Sequence, residues 1–217
     1  SAGGDGVWRM APRMADRWAA ASMMAGHPGE ASQVNLRNVP FMIWMGENDG
    51  AYDRNKLAVA KGMVMDSLQQ AEPLGYIHET HIVKGKGHWM DRADTAAITW
   101  VTRDKRNALP KKIVWRQEVV RPSMYWLEVE RERARHGMSV IAELDGNEVK
   151  IEKCDYPRLR VYLNDEMVDM DKPVKVTYQG KTLFEGKVKR TAACLARTLK
   201  ERGDKELMFS GYVDVKI

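Results

Sequence analysis

The chain has 217 residues, 44% of them hydrophobic and 30% charged, the profile expected of a soluble globular protein with one large domain or two small ones. Its 35 basic and 30 acidic residues are interspersed, leaving a formal net charge of +5 without the dense basic stripe of a nucleic-acid face, so no nucleic-acid partner is expected. No apolar run reaches the roughly 18 residues that span a bilayer, and no signal peptide is recognisable, so no membrane partner is expected and the compartment stays open.

Residues 1–108 read as alternating helices and strands. Gly4 to Asp16 reads as a helix with Val7, Met10 and Met14 on one side. Trp18 to Ala25 is a short apolar run that suits a strand buried on both faces, ended by Gly26-His27-Pro28-Gly29. Phe41 to Met45 is a second such run, ended by Gly46-Glu47-Asn48-Asp49-Gly50. Asp53 to Ala71 reads as a long amphipathic helix with Asp53 as its N-cap and Leu57, Ala60, Val64 and Leu68 along one side. Gly75 to Val83 alternates as a third strand, ending at Gly85-Lys86-Gly87-His88, and Asp91 to Thr102 reads as a final helix. Strand and helix in alternation predict a parallel sheet with crossover helices. The methionines at 10, 14, 23, 24, 42, 45, 63 and 65 read as core filler.

Residues 109–217 have a different pattern. Short alternating segments at 113–120, 124–130, 139–144, 148–152, 158–163, 174–178, 182–189 and 212–217 are separated by turn signals. Asp145-Gly146-Asn147 and Gln179-Gly180-Lys181 suit hairpin connections. One helix, Thr191 to Arg202, ends at a C-cap Gly203. This half is expected to be a small antiparallel, sandwich-like β-domain. Cys154 and Cys194 lie forty residues apart without ligand spacing, so neither a zinc site nor any other metal or cofactor is expected, and two buried free thiols are the simplest reading.

In open parallel sheets, ligands collect beyond the carboxyl ends of the strands. Asp49 follows one predicted strand and His88 another, while Ser1-Ala2-Gly3-Gly4 stands directly before a helix. A serine needs a base to take its proton, imidazole is suited to that task, and a carboxylate fixes the imidazole tautomer. Ser1, Asp49 and His88 are therefore the candidate triad. Asp49 competes with Glu47 and Asp53, and His88 with His27, His78 and His81. Ser1 also admits two other readings: a flexible tail, or an N-terminal nucleophile with its own amine as base.

The order Ser, Asp, His, with the S-A-G-G, G-E-N-D and G-K-G-H-W stretches, resembles the C-terminal half of an α/β-hydrolase of the prolyl-oligopeptidase, dienelactone-hydrolase and esterase type. The stretches R-M-A-P-R-M-A-D-R-W-A-A and M-A-G-H-P resemble a bacterial esterase-like subgroup with an added C-terminal β-domain. The resemblance implies a partial α/β-hydrolase sheet over 1–108 and a β-rich domain over 109–217. It implies a serine hydrolase, an esterase or a peptidase, acting on a small-molecule ester or a peptide. Ser1 would be the nucleophile, His88 the base, Asp49 the orienting acid and the Ala2 N–H an oxyanion donor. His27 and Trp89 would be pocket residues. The family's strand before the nucleophile has no counterpart here, so the chain is expected to be an inactive fragment by itself, completed by a preceding segment or a complementary chain. The rival expectation is a non-catalytic binding module whose β-domain docks a polysaccharide or a protein partner.

Overall fold

Strands joined through a crossover return to the sheet in the same direction, and three short segments of the first half do so. The structure is a computed structural model that describes residues 1–217. It is a mixed α/β protein that divides into two compact units, Ser1–Asn107 and Ala108–Ile217.

The first unit contains α1 (Ala2–Arg13), β1 (Ala21–Met24), β2 (Phe41–Gly46), α2 (Arg54–Ala71), β3 (His78–Val83) and α3 (Ala96–Val101). The strands pair in parallel in the order β1-β2-β3, with Ile43 between Met23 and Thr80. All six residues of the central strand β2 are buried. The edge strands are not: β1 buries only Met23, and β3 has no fully buried residue, with Glu79 and Thr80 exposed. The expected two-faced burial therefore holds for β2 and not for β1. The first strand has four residues, Ala21–Met24, rather than the expected 18–25, and a 3-10 turn at Ala15–Arg17 follows α1.

Both long helices turn a different face inward from the one expected. In α1 the buried positions are Gly4, Trp8, Ala11 and Pro12, whereas Met10 and Met14 are exposed. In α2 they are Ala58, Gly62 and Met65, with Ala60 and Val64 exposed. Small residues explain the shift. A Cβ on Gly62 would lie 2.7 Å from Thr80 Oγ1, so the bare glycine lets α2 press onto β3. Each buried face combines a glycine or alanine that allows close approach with one large side chain, Trp8 in α1 and Met65 in α2. Met63 is exposed as well, so Met10, Met14 and Met63 leave the predicted core, while Met23, Met42, Met45 and Met65 are in it. The final helix is only six residues long, entered through a 3-10 turn at Ala93–Thr95.

The second unit contains β4 (Lys112–Arg116), β5 (Ser123–Met124), β6 (Leu127–Glu128), β7 (Ser139–Asp145), β8 (Glu148–Cys154), β9 (Arg158–Leu163), β10 (Val174–Tyr178), β11 (Lys181–Gly186), α4 (Ala192–Arg202) and β12 (Gly211–Lys216). They form a five-stranded sheet, β11-β10-β8-β7-β4, and a four-stranded sheet, β12-β9-β6-β5. Pairing is antiparallel with one departure from expectation: β10 runs parallel to β8, because β9 between them in sequence belongs to the other sheet. The segment 124–130 is not one strand, since Tyr125 at φ 51° turns the chain between β5 and β6. Gln179 and Gly180 both have positive φ, which closes the β10–β11 hairpin. Thr191 Oγ1 accepts the Cys194 N–H at the start of α4, and Gly203 ends the helix at φ 60°. Cys154 and Cys194 are free and buried, and burial pushes the Cys154 thiol up to about 11.

The helix α1 crosses the end of β1 closely enough that a Cβ on Gly4 would lie 2.4 Å from the Met24 carbonyl oxygen, while one on Gly3 would meet nothing. Adjacent glycines should therefore respond with opposite signs. Gly3→Ala is expected to stabilise the first unit by about 0.5–1 kcal/mol through helix propensity. Gly4→Ala is expected to destabilise it by about 1–3 kcal/mol through overpacking against backbone. Denaturant unfolding of both variants measures this.

Candidate active site

The carboxyl ends of β1, β2 and β3 lie along one edge of the parallel sheet, and each carries one predicted residue. The loop after β2 and the loop after β3 are laced together. Glu47 N–H donates to Val83 O at 3.0 Å, and Asn48 N–H to Lys86 O at 2.7 Å. Glu47 Oε2 accepts the Gly85 N–H at 2.7 Å. At their crossing, a Cβ on Gly46 would lie 1.9 Å from the Gly87 carbonyl oxygen, so only glycine permits this approach.

The crossing brings Asp49 to His88. The Asp49 backbone is held on both sides, its N–H donating to Gly46 O and its carbonyl accepting from Asn55 N–H, each at 3.1 Å. Its side chain is 2% exposed. A carboxylate so deeply buried needs compensating partners. His88 Nδ1 lies 2.6 Å from Oδ2, and Arg54 Nη1 lies 3.5 Å from Oδ1. The carboxylate acceptor places the imidazole proton on Nδ1, which leaves Nε2 with its lone pair. The His88 side chain is 45% exposed and Nε2 bonds no protein group. A buried acid thus orients an accessible base.

The competing residues have other partners. Glu47 is spent on the Gly85 N–H. Asp53 occupies the N-cap position of α2 but makes no capping bond, because its left-handed backbone (φ 56°) turns the carboxylate to Lys56 Nζ at 2.9 Å. That hydrogen bond holds the Asp53 carboxyl below the usual range. His78 lies between Tyr76 O and Asp66, and His81 bonds Glu79 while stacking on Trp44 at 4.2 Å. Trp44 and Trp100 share a buried cluster with Met90, which anchors the chain two residues beyond His88. Glu79 strengthens that anchor by accepting from Trp100 Nε1 at 2.6 Å.

Ser1 lies at the N-cap of α1, and its α-amino nitrogen donates to Met24 O, the last carbonyl of β1, at 3.1 Å. Ser1 is exposed, and its hydroxyl makes no hydrogen bond to His88 or to any other group. The structure therefore joins Asp49 to His88 but does not bring Ser1 into hydrogen-bond contact with them. Ala2 is the first residue of α1, where the leading N–H groups of a helix lack partners within it. His27 is half-buried: its N–H donates to Asp5 Oδ1 at 2.7 Å, and its Nδ1 accepts the Gly29 N–H at 2.9 Å. Trp89 is 69% exposed beside His88. Two contributors escaped the sequence reading: Asp5, which ties α1 to the His27 loop, and Arg54 as the second partner of Asp49. The adjacency of Arg54 to the acid loop was the available signal. No group of three or more His, Cys, Asp and Glu side chains forms a metal-binding cluster.

Gly46→Ala is expected to force the two loops apart and break the Asp49–His88 hydrogen bond. The His88 Nδ1–H resonance in nitrogen-15 NMR should vanish through solvent exchange, and unfolding should shift by about 1–3 kcal/mol.

No family model matches the chain, and no curated protein or solved structure matches it significantly.

Proposed function

We propose that this chain is the acid-and-base portion of a serine hydrolase of α/β-hydrolase type, acting on carboxylic esters or on peptides. The observation that carries the reading is the 2.6 Å contact between a buried Asp49 and an accessible His88 at the carboxyl edge of a parallel sheet. Ser1 at the start of α1, beside the end of β1, supports it.

In the proposed reaction His88 Nε2 takes the Ser1 hydroxyl proton as Oγ bonds to the acyl carbon. The Ala2 N–H donates to the oxygen that becomes anionic. His88 returns the proton to the leaving alcohol or amine as its bond to the acyl carbon breaks. Water then adds with His88 again as base, and the acid is released with the Ser1 proton restored. Asp49 keeps the Nδ1–H tautomer throughout and faces the charged imidazolium. Hydroxyl and imidazole must meet for the first step, and contacts of this kind often tighten only when substrate binds.

β1 has β2 on one side and no strand on the other. We infer that this edge takes a further strand from a preceding segment or a complementary chain, which would also fix the aim of Ser1.

A fluorophosphonate probe tests the assignment on the form of the protein in which that edge is paired. Labelling is expected at Ser1 and is expected to disappear in Ser1→Ala. His88→Gln should lower the labelling rate by about 10³-fold or more. Undiminished labelling of Ser1→Ala would remove Ser1 from the role.

A further inference from the structure

An aspartate side chain ends on a torsion whose preference is broad and roughly two-fold, so rotation exchanges its two oxygens at little intrinsic cost. A carboxylate that must aim one oxygen at a base therefore needs a second partner on the other. Asp49 presents Oδ2 to His88 Nδ1 at 2.6 Å. Its Oδ1 is faced by the Arg54 guanidinium, whose Nη1 lies 3.5 Å away. Arg54 is the permanently charged partner of a carboxylate that is only 2% exposed.

The segment from β2 to α2 returns Arg54 to that place. Asn55 N–H donates to the Asp49 carbonyl at 3.1 Å, and Asn55 Nδ2 donates to the Glu47 carbonyl at 2.8 Å. These bonds pin the residue after Arg54 to the start of the loop. Between them, Tyr52 and Asp53 are consecutive left-handed residues at φ 56°. Such backbone is unfavourable for a bulky residue such as Tyr52 and concentrates at functional sites. The Arg54 guanidinium lies 5.0 Å from the centroid of the Tyr52 ring, a cation–π contact. No other group holds the guanidinium firmly. Nη1 reaches the Ala51 carbonyl only at 3.5 Å, and the buried Nε has no hydrogen-bond partner. The Arg54 side chain is 13% exposed, so water and salt screen its charge weakly.

We propose that Arg54 is a positioning residue for this site: its charge holds Asp49 Oδ1 and so keeps Oδ2 aimed at His88. The use of that aim rests on the hydrolase reading above, whereas the contact itself is measurable without a substrate. Without Arg54, the carboxylate samples both rotations and the imidazole loses its fixed acceptor. His88 then spends part of its time with the proton on Nε2, where it cannot take one from Ser1.

Nitrogen-15 NMR of His88, at a pH where the imidazole is neutral, reads this directly. The Trp100 indole N–H, bonded to Glu79 and remote from Arg54 in sequence, reports folding in the same spectrum. Arg54→Ala is expected to lose the His88 Nδ1–H resonance while the Trp100 resonance stays. Millimolar guanidinium chloride, far below denaturing concentrations, should restore it, and sodium chloride at the same ionic strength should not. In the form of the protein whose β1 edge is paired, fluorophosphonate labelling should fall about 10- to 100-fold in Arg54→Ala and recover with guanidinium. An unchanged Nδ1–H resonance overturns the proposal and leaves the hydrolase reading standing. A loss that guanidinium restores no better than sodium chloride overturns it too. Should Arg54→Ala fail to fold, Arg54→Gln decides: it is neutral yet long enough to reach the Ala51 carbonyl, and an unchanged resonance there overturns the proposal. A resonance lost and rescued in a protein that no fluorophosphonate labels supports the role of Arg54 and removes the hydrolase reading.

Discussion

A carboxylate buried to 2% exposure is the constraint around which the first unit is arranged. Left alone, the Asp49 charge would carry a large desolvation cost. It is met by His88 on one oxygen and faced by Arg54 near the other. For His88 to arrive there, the loop after β3 must cross the loop after β2, and that crossing passes through Gly46 against the Gly87 carbonyl. The Glu47 carboxylate and the buried Met90 then hold the crossing loop from either side. Chemistry and packing are thus one problem here: the same contacts that satisfy the buried charge present the imidazole to solvent.

The edges of the sheet define what the first unit offers elsewhere. β2 is the central strand and all of its residues are buried. β1 and β3 have one neighbour each and stay partly exposed. Along β3 this exposure is put to use, since Glu79 and His81 form a polar bridge over Trp44 and Trp100. Along β1 it leaves backbone groups facing away from the sheet. The second unit solves its own edges differently, with short strands, tight hairpins and a capped helix.

Much of this was legible in residue order. Strands at Phe41–Gly46, Arg158–Leu163 and Val174–Tyr178 follow from uninterrupted or alternating apolar patterns bounded by turn residues. The Thr191 cap and the Gly203 stop of α4 follow from local chemistry alone. The helix faces were misread because of residues that carry no hydrophobic signal. The buried faces of α1 and α2 are built on Gly4 and Gly62, and glycine carries no hydrophobic signal. Its value lies in how near another segment can come, and that is set by residues distant in sequence. Asp53 was misread for a related reason: a cap needs extended backbone, and the loop imposes a left-handed one.

The sequence by itself determined which residue types could carry acid, base and nucleophile, and that Asp49 and His88 each follow a strand. Residue order also favoured Asp49 over Glu47 and Asp53, from its place in the first turn after the strand. The tertiary structure showed where each carboxylate goes. It sent Glu47 to the Gly85 N–H, Asp53 to Lys56 and Asp49 alone to the imidazole. It also decided that Tyr52 and Trp89 are the most exposed aromatic residues of the chain. The physical reason is the same in both cases. Identity and local pattern act along the chain, whereas burial and partnership depend on which loops can approach through space, and for Asp49 and His88 that approach turned on Gly46 at the crossing.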